Sequence, residues 1–292
     1  MYYRRKLLLN LIQTFGNALT SRQVQKLMFI LSPKLNKPHY DFVPHRFGAY
    51  SFVIKSDLLN LEKNGLLYKS AQPSVWKLIT HEIPELTPVD RRLMNDLAIN
   101  FANLQESELI KHTYNEYPEY AVNSEIASQL LTEPEVKKIQ AFKPKSDLSA
   151  IYTIGYEGLS LDAFVQILLK NDIQHLCDVR KNAYSMKFGF KKSELCKTLE
   201  SVSITYSHHP ELGIESEKRK IVQETGDWNQ LFNEYEATIS NNSTNLLPPI
   251  LHLFENKKRI ALMCFEHKSC NCHRGRLINV IQANKEINVI NL

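Results

Sequence analysis

Ala150-Ile151-Tyr152-Thr153-Ile154-Gly155-Tyr156-Glu157-Gly158 is the stretch where the character of the chain changes. A short apolar run ends at a glycine, and from Ser160 a helical spacing of apolar residues begins. The segment therefore reads as a strand handing over to a helix. The same alternation continues downstream. Strands are expected at 150–154, 175–179, 204–208, 259–265 and 287–290, with helices starting near Ser160, Lys191, Trp228 and Gly275. Strands alternating with helices call for an α/β domain over 149–292, an open and mainly parallel sheet with helices on both faces.

Upstream the pattern differs. Arg4 to Phe15 and Ser21 to Leu31 read as short helices, the second opening on Ser21 as N-cap. Pro33, Pro38 and Pro44 mark a loop, and Ser51 to Asn64 reads as a third helix with Phe52, Leu58, Leu59 and Leu61 inward, stopped by Gly65. Two β-prone runs at 66–68 and 75–79, joined by the turn Ala71-Gln72-Pro73-Ser74, complete a winged helix-turn-helix over 1–80. A helical bridge is expected over 81–148, with Thr87 as N-cap, Pro88 at the first helical position, breaks at Pro118 and Pro134, and a polar boundary at 141–147.

Charge separates these parts more sharply than composition does. Residues 1–80 carry twelve Lys and Arg against three Asp and Glu, a balance of +9, whereas 81–150 carry −5 and 151–292 carry +1. A basic front module is the footprint of phosphate-backbone binding, with DNA the favoured partner. Arg46 and Lys55, at or in the third helix, and Lys69 and Lys77, on the hairpin wing, are its candidate contacts. A protein-interaction role is the alternative for such a module.

At 43% apolar content, the 292 residues can bury a core in each of about two domains. The basic start before Leu7-Leu8-Leu9 gives way early to Asn10, so it reads as a first helix rather than a signal peptide. No stretch approaches the roughly 18 apolar residues of a membrane span. Five cysteines, at 177, 196, 264, 270 and 272, suit a reduced, cytoplasmic setting better than a disulfide framework.

Ligands of an open α/β sheet gather at the carboxyl ends of its strands. Here those ends deliver Gly155-Tyr156-Glu157-Gly158, Asp178-Val179-Arg180, His208-His209-Pro210-Glu211 and Cys264-Phe265-Glu266-His267. Beyond the last lie Cys270, Cys272, His273 and Arg274, leading into a helix. Two functional readings compete at that cluster. A thiol beside arginines at a helix start favours a nucleophilic Cys272 or Cys264. Alternatively, Cys264, Cys270, Cys272 and His273, with or without His267, are the ligand types of zinc or iron, although neighbours such as Cys272 and His273 diverge in regular backbone. In the first reading Arg180 and Arg274 hold an anion, Tyr156, His209 and Glu211 contact substrate, and Glu157 or Asp178 moves protons. The plain counterpart is structural: Asp178 and Arg180 as an ion pair, Cys264 and His273 as packing residues. Tyr184, Phe188 and Phe190 read first as core and second as rings that stack on a base.

These motifs in this order, together with Phe188-Gly189-Phe190 and Tyr206 through Gly213, resemble those of the domain of unknown function 488 family over nearly all of 151–292. The resemblance implies that Glu157, Asp178, Arg180, Cys264, Cys272, His273 and Arg274 share one site. Lys181-Asn182-Ala183-Tyr184-Ser185 lacks the proline usual in the family's second motif. The front half resembles the winged-helix portion found ahead of this domain, and Phe47-Gly48-Ala49-Tyr50-Ser51 is similar to a motif of Panacea modules. The expectation is a nucleic-acid- or nucleotide-directed enzyme docked by a DNA-binding module. The alternative is a non-enzymatic DNA-binding regulator with a metal- or redox-sensing cysteine cluster.

Overall fold

The computed structural model describes residues 1–71, 74–144 and 148–292 and divides into two compact units, Met1–Lys143 and Pro144–Leu292. Gln72 and Pro73 of the expected hairpin turn, and 145–147 of the expected boundary, lie outside the described residues.

The first unit runs α1 (Tyr3–Thr14), β1 (Ala18–Thr20), α2 (Ser21–Leu31), β2 (Val43–His45), β3 (Gly48–Tyr50), α3 (Phe52–Lys63), β4 (Leu67–Lys69) and β5 (Val75–Leu78). It continues with α4 (Pro88–Phe101), α5 (Glu106–Glu116), α6 (Ala127–Leu130) and α7 (Glu133–Ala141). β1, β5 and β4 form a three-stranded antiparallel sheet in that order, and β2 and β3 pair separately as a hairpin. Leu86, Met94 and Leu97 of the α4 region and Leu109 of α5 bury themselves in the same apolar cluster as α1, α2 and α3. The helices expected as a bridge therefore fold with the first 80 residues.

Local differences from the sequence reading have physical causes. Thr20, not Ser21, caps α2, because its hydroxyl accepts from the Gln23 amide while the Gln23 side chain accepts from Thr20, a reciprocal box that Ser21 has no partner to make. Within α3 the inward face is Val53, Ile54, Leu58 and Leu61, whereas Leu59 is 45% exposed, since helical spacing puts it on the opposite side from Leu58's neighbours. The proline-marked loop contains the β2–β3 hairpin, and Arg46 sits in its turn, ahead of α3 rather than in it. Pro134 occupies the first turn of α7, a position that tolerates its missing N–H, so it starts a helix instead of breaking one.

The second unit runs β6 (Ala150–Gly155), α8 (Leu161–Lys170), β7 (His175–Asp178), α9 (Lys192–Glu200), β8 (Thr205–His208), α10 (Ser216–Thr225) and α11 (Trp228–Asn241). α12 (Ser243–Leu246), α13 (Pro248–Lys257), β9 (Arg259–Cys264), α14 (His273–Asn284) and β10 (Val289–Asn291) complete it. The five strands are all parallel, in the order β10-β6-β9-β7-β8. β6, β7 and β9 are buried along their whole length, which is why they read as continuous apolar runs. The chain moves one way across the sheet from β6 through β7 to β8, then returns to β9 and β10. With right-handed crossovers, this places α8 and α9 on one face and α10–α14 on the other. After β9 the chain leaves on the opposite face from the chain after its neighbours β6 and β7. The carboxyl ends of β6, β9 and β7 thus flank the topological switch points at which α/β sheets bind ligands. Among the described residues, no helix is long and apolar enough to cross a membrane.

Candidate functional site

β9 ends at Cys264, and α14 begins at His273 with Cys272 as its N-cap. Cys272 is extended, at φ −143° and ψ 146°, while His273 is already helical. That switch turns two adjacent side chains, which would diverge in either regular backbone, toward Cys264. The ligand atoms of Cys264, Cys272 and His273 lie within 4.8 Å of one another, and all three residues are buried. His273 Nδ1 is 3.7 Å from Cys264 Sγ and 3.6 Å from Cys272 Sγ. Its Nε2 donates to the Val179 carbonyl at 2.9 Å, which leaves the Nδ1 lone pair facing the sulfurs.

Two residues that sequence reasoning did not place in the site complete it. Glu266 Oε2 accepts from Cys264 Sγ at 3.2 Å. Arg219, on α10, donates to His273 Nδ1 at 3.2 Å and approaches Glu266 at 3.6 Å. Their side chains are 28% and 30% exposed, so they form the solvent side of an otherwise closed cluster. The Cys272 thiol, hydrogen-bonded to Cys264, pulls the Cys264 thiol well below its ordinary range, with His273 and Arg219 acting in the same direction against burial. Cys272 is pushed up by burial and by the same bond. Burial, then the Cys264 charge, raises the Glu266 carboxyl. Negative charge is thus concentrated on Cys264, with Cys272 as its donor. Glu266 was visible as the polar residue two places after Cys264; Arg219 had no signal, because its helix was not anticipated.

The other candidates fall into separate groups. Cys270 is exposed, its thiol directed at Asn271, and it lies outside the cluster. His267 contributes its backbone N–H to Glu157, whose exposed carboxylate accepts it at 3.1 Å. Arg274 is 0% exposed and donates to the Ile154 and His267 carbonyls, stitching β6 to the turn after β9. Asp178 accepts from the Arg180 amide and from both ends of its guanidinium, at 3.1, 2.8 and 2.6 Å, and from the Tyr206 hydroxyl at 2.7 Å. Arg180 also donates to Tyr156 Oη and the Phe190 carbonyl. Arg180, Tyr156 and Asp178 therefore pair with one another inside the fold, whereas Arg274 keeps its buried Nε without a partner among the described residues.

His209 and Glu211, just past the edge strand β8, belong to a third line of groups that runs along β8 to His175 on β7. Glu211 accepts from His209 at 3.1 Å, His209 meets Ser207 Oγ at 2.7 Å, Ser207 meets His175 at 2.7 Å, and His175 meets Thr205 at 2.7 Å. Burial, with His209 nearby, lowers His175 to about 4. In the first unit burial lowers His45 to about 4 as well. For both, the folded pKa lies below that of the unfolded chain, so the unfolded state takes up the proton first as pH falls. Their stabilisation is complete above about 6.5 and is lost between there and about 4. Thermal melts between pH 7 and 5 should fall steadily, and His175→Asn should flatten the dependence of the second unit. A constant midpoint over that interval would contradict this.

In the first unit, part of the positive charge is internal. Asp57 holds Arg4 and Arg5, at 2.5 and 2.6 Å, and Lys26 is buried against the Ala49 carbonyl, where burial lowers it to about 7. Lys55 and Lys77 are exposed, Lys69 lies over the Trp76 ring at 5.2 Å, and Arg46 pairs with Glu125 at 3.5 Å.

Among known proteins, no curated protein and no solved structure matches the chain. Residues 160–281, from the start of α8 almost to the end of α14, match the model of a family described as Domain of unknown function DUF488. This span contains Asp178, Arg180, Cys264, Cys272 and His273, so the second unit carries the DUF488 similarity together with the buried Cys/His cluster.

Proposed function

We propose that this chain is a nucleic-acid- or nucleotide-directed enzyme whose second unit holds a zinc-type metal ion on Cys264, Cys272 and His273, and whose first unit docks DNA as a winged helix. The observation that carries the reading is the spacing of the three donors. For tetrahedral zinc, with bonds near 2.3 Å to sulfur and 2.0–2.1 Å to nitrogen, adjacent S and N ligands sit about 3.5 Å apart. The separations here are 3.6 and 3.7 Å, and the His273 ring is already locked by Val179 as a metal-bearing imidazole usually is by a carbonyl. Two thiols and an imidazole favour zinc or iron over magnesium or calcium. Three protein ligands leave one coordination position for water or substrate, the arrangement of catalytic rather than structural zinc.

Glu266 and Arg219 then take the roles first assigned to other residues. Glu266, beside Cys264 on the solvent side of the cluster, carries the proton, and Arg219 holds a substrate anion, which requires it to swing off His273 Nδ1 when metal binds. The winged-helix reading of the first unit is supported by β1 pairing on β5 beside the β4–β5 hairpin that follows α3, with Lys55 and Lys77 as exposed cations.

A second reading has its own support. The Cys264 and Cys272 sulfurs are within 4.8 Å, close enough for oxidation or metal exchange to serve as a signal in a non-enzymatic DNA-binding regulator. Metal analysis of protein purified without chelator tests the shared claim. Wild type should carry one equivalent, and Cys264→Ser, Cys272→Ser and His273→Ala should each lose it, while Cys270→Ser should not. Equal metal content in all five proteins would overturn the proposal. The two readings separate at DNA: an enzyme variant loses turnover with DNA affinity intact, whereas a sensor variant changes affinity.

A further inference from the structure

Residues 181–192 contain Lys181, Lys187, Lys191 and Lys192 and no acidic residue. In the same segment Tyr184, Met186 and Phe188 are 65%, 87% and 46% exposed. Large apolar groups grouped on a surface cost solvation free energy unless something covers them. Their frame is nevertheless tied down. Phe190 stacks on Tyr156 with ring centroids 4.2 Å apart, Lys187 donates to the Tyr156 carbonyl at 2.8 Å, and the Lys192 amide donates to the Ala183 carbonyl at 2.9 Å. The Gly189 amide reaches Glu194 at 3.2 Å, and Gly189 holds φ +83° against Leu161, a turn that a side chain would block. The exposed rings are therefore displayed in a set position rather than left loose.

Charge and shape identify the occupant. Lys191 Nζ stands 5.3 Å from the centre of the Tyr184 ring, beside an open surface depression lined by Lys181, Asn182, Ala183, Tyr184, Lys192 and His208. Lys181 is tied to Glu215 at 2.8 Å, but among the described residues no salt bridge holds Lys191 or Lys192. Aromatic faces interleaved with lysines suit a ligand that alternates flat apolar rings with anions. A protein partner would satisfy the rings without needing the cations. A duplex would satisfy the cations, but its base faces are stacked out of reach.

We propose that this loop is a binding site for single-stranded nucleic acid, an unstacked base lying on Tyr184 and the adjoining phosphates on Lys191 and Lys192. This rests on reading the chain as nucleic-acid-directed and adds the form of the strand it takes. The test is fluorescence anisotropy of the full-length protein with a labelled single-stranded oligonucleotide of about a dozen nucleotides, the span one such surface covers, and with the matching duplex. Tyr184→Ala with Phe188→Ala should weaken single-strand binding by roughly ten-fold or more, since each lost stacking contact is of that order. Tyr184→Phe should retain affinity, and Lys191→Glu with Lys192→Glu should weaken binding and flatten its salt dependence. Duplex affinity should not change in any of them. These residues are on the surface, so the variants fold. Loop variants that bind the single strand as tightly as wild type overturn the proposal. Wild type that binds duplex but not single strand overturns it too, yet leaves the proposed function standing; wild type that binds neither form sinks both.

Discussion

Asp178→Ala should destabilise the second unit by about 3–5 kcal/mol, the usual cost of removing one partner from a buried ion pair. Asp178 is 0% exposed and Arg180 is 5% exposed, and the carboxylate accepts four hydrogen bonds, three of them from Arg180. Removing it strands a buried guanidinium, and the Tyr206 hydroxyl loses its acceptor. The Arg180 contacts to Tyr156 and Phe190 cannot compensate, because neither carries charge. Replacing both partners, Asp178→Leu with Arg180→Met, should cost less than either single truncation, since no uncompensated charge remains. Chemical denaturation of the three variants checks this. A loss under about 1 kcal/mol for Asp178→Ala, the scale of a surface pair, would show that the pair is not the internal brace described here.

Gly155→Ala should disable the Cys/His cluster without touching any of its ligands. A Cβ on Gly155 would lie 1.8 Å from the Glu266 carbonyl oxygen and 2.8 Å from the His267 Cα. Both are backbone atoms of the turn that follows Cys264, so relief requires moving the turn rather than rotating a side chain. Overpacking of this kind costs about 1–3 kcal/mol, and the displacement falls on Glu266, two residues past Cys264. The expected result is protein that folds with reduced stability and loses bound metal. A Gly155→Ala protein with wild-type stability and metal content would contradict the close approach of β6 to this turn.

The sheet was legible because its central strands are buried on both faces and so appear as apolar runs, as in Arg259–Cys264. Region 214–257 was not: only the helix from Trp228 was anticipated, while α10 buries Val222 alone among its described side chains, too little to give a periodic signature, and α13 starts on two prolines. The cluster was half legible. Cys264, Cys272 and His273 stood out by type, but their convergence depends on the extended-to-helical change at Cys272, which spacing does not announce. Charged residues misled most. Arg180 and Arg274 have the chemistry of anion binders, and only the tertiary fold shows Arg180 paired with Asp178 and the two terminal nitrogens of Arg274 turned to backbone carbonyls. Arg219 shows the reverse, an unremarkable helical arginine that the fold brings to His273. In the first unit, Arg46 was misplaced because the β2–β3 hairpin lies hidden in a proline-marked loop.

X-ray absorption on the metal carried by the purified protein tests the central claim most directly. The proposal predicts two sulfur neighbours at about 2.3 Å and one imidazole nitrogen at about 2.0–2.1 Å, with a light atom completing the shell. A shell of oxygen alone, or one unchanged by Cys264→Ser and Cys272→Ser, would place the metal elsewhere and contradict it.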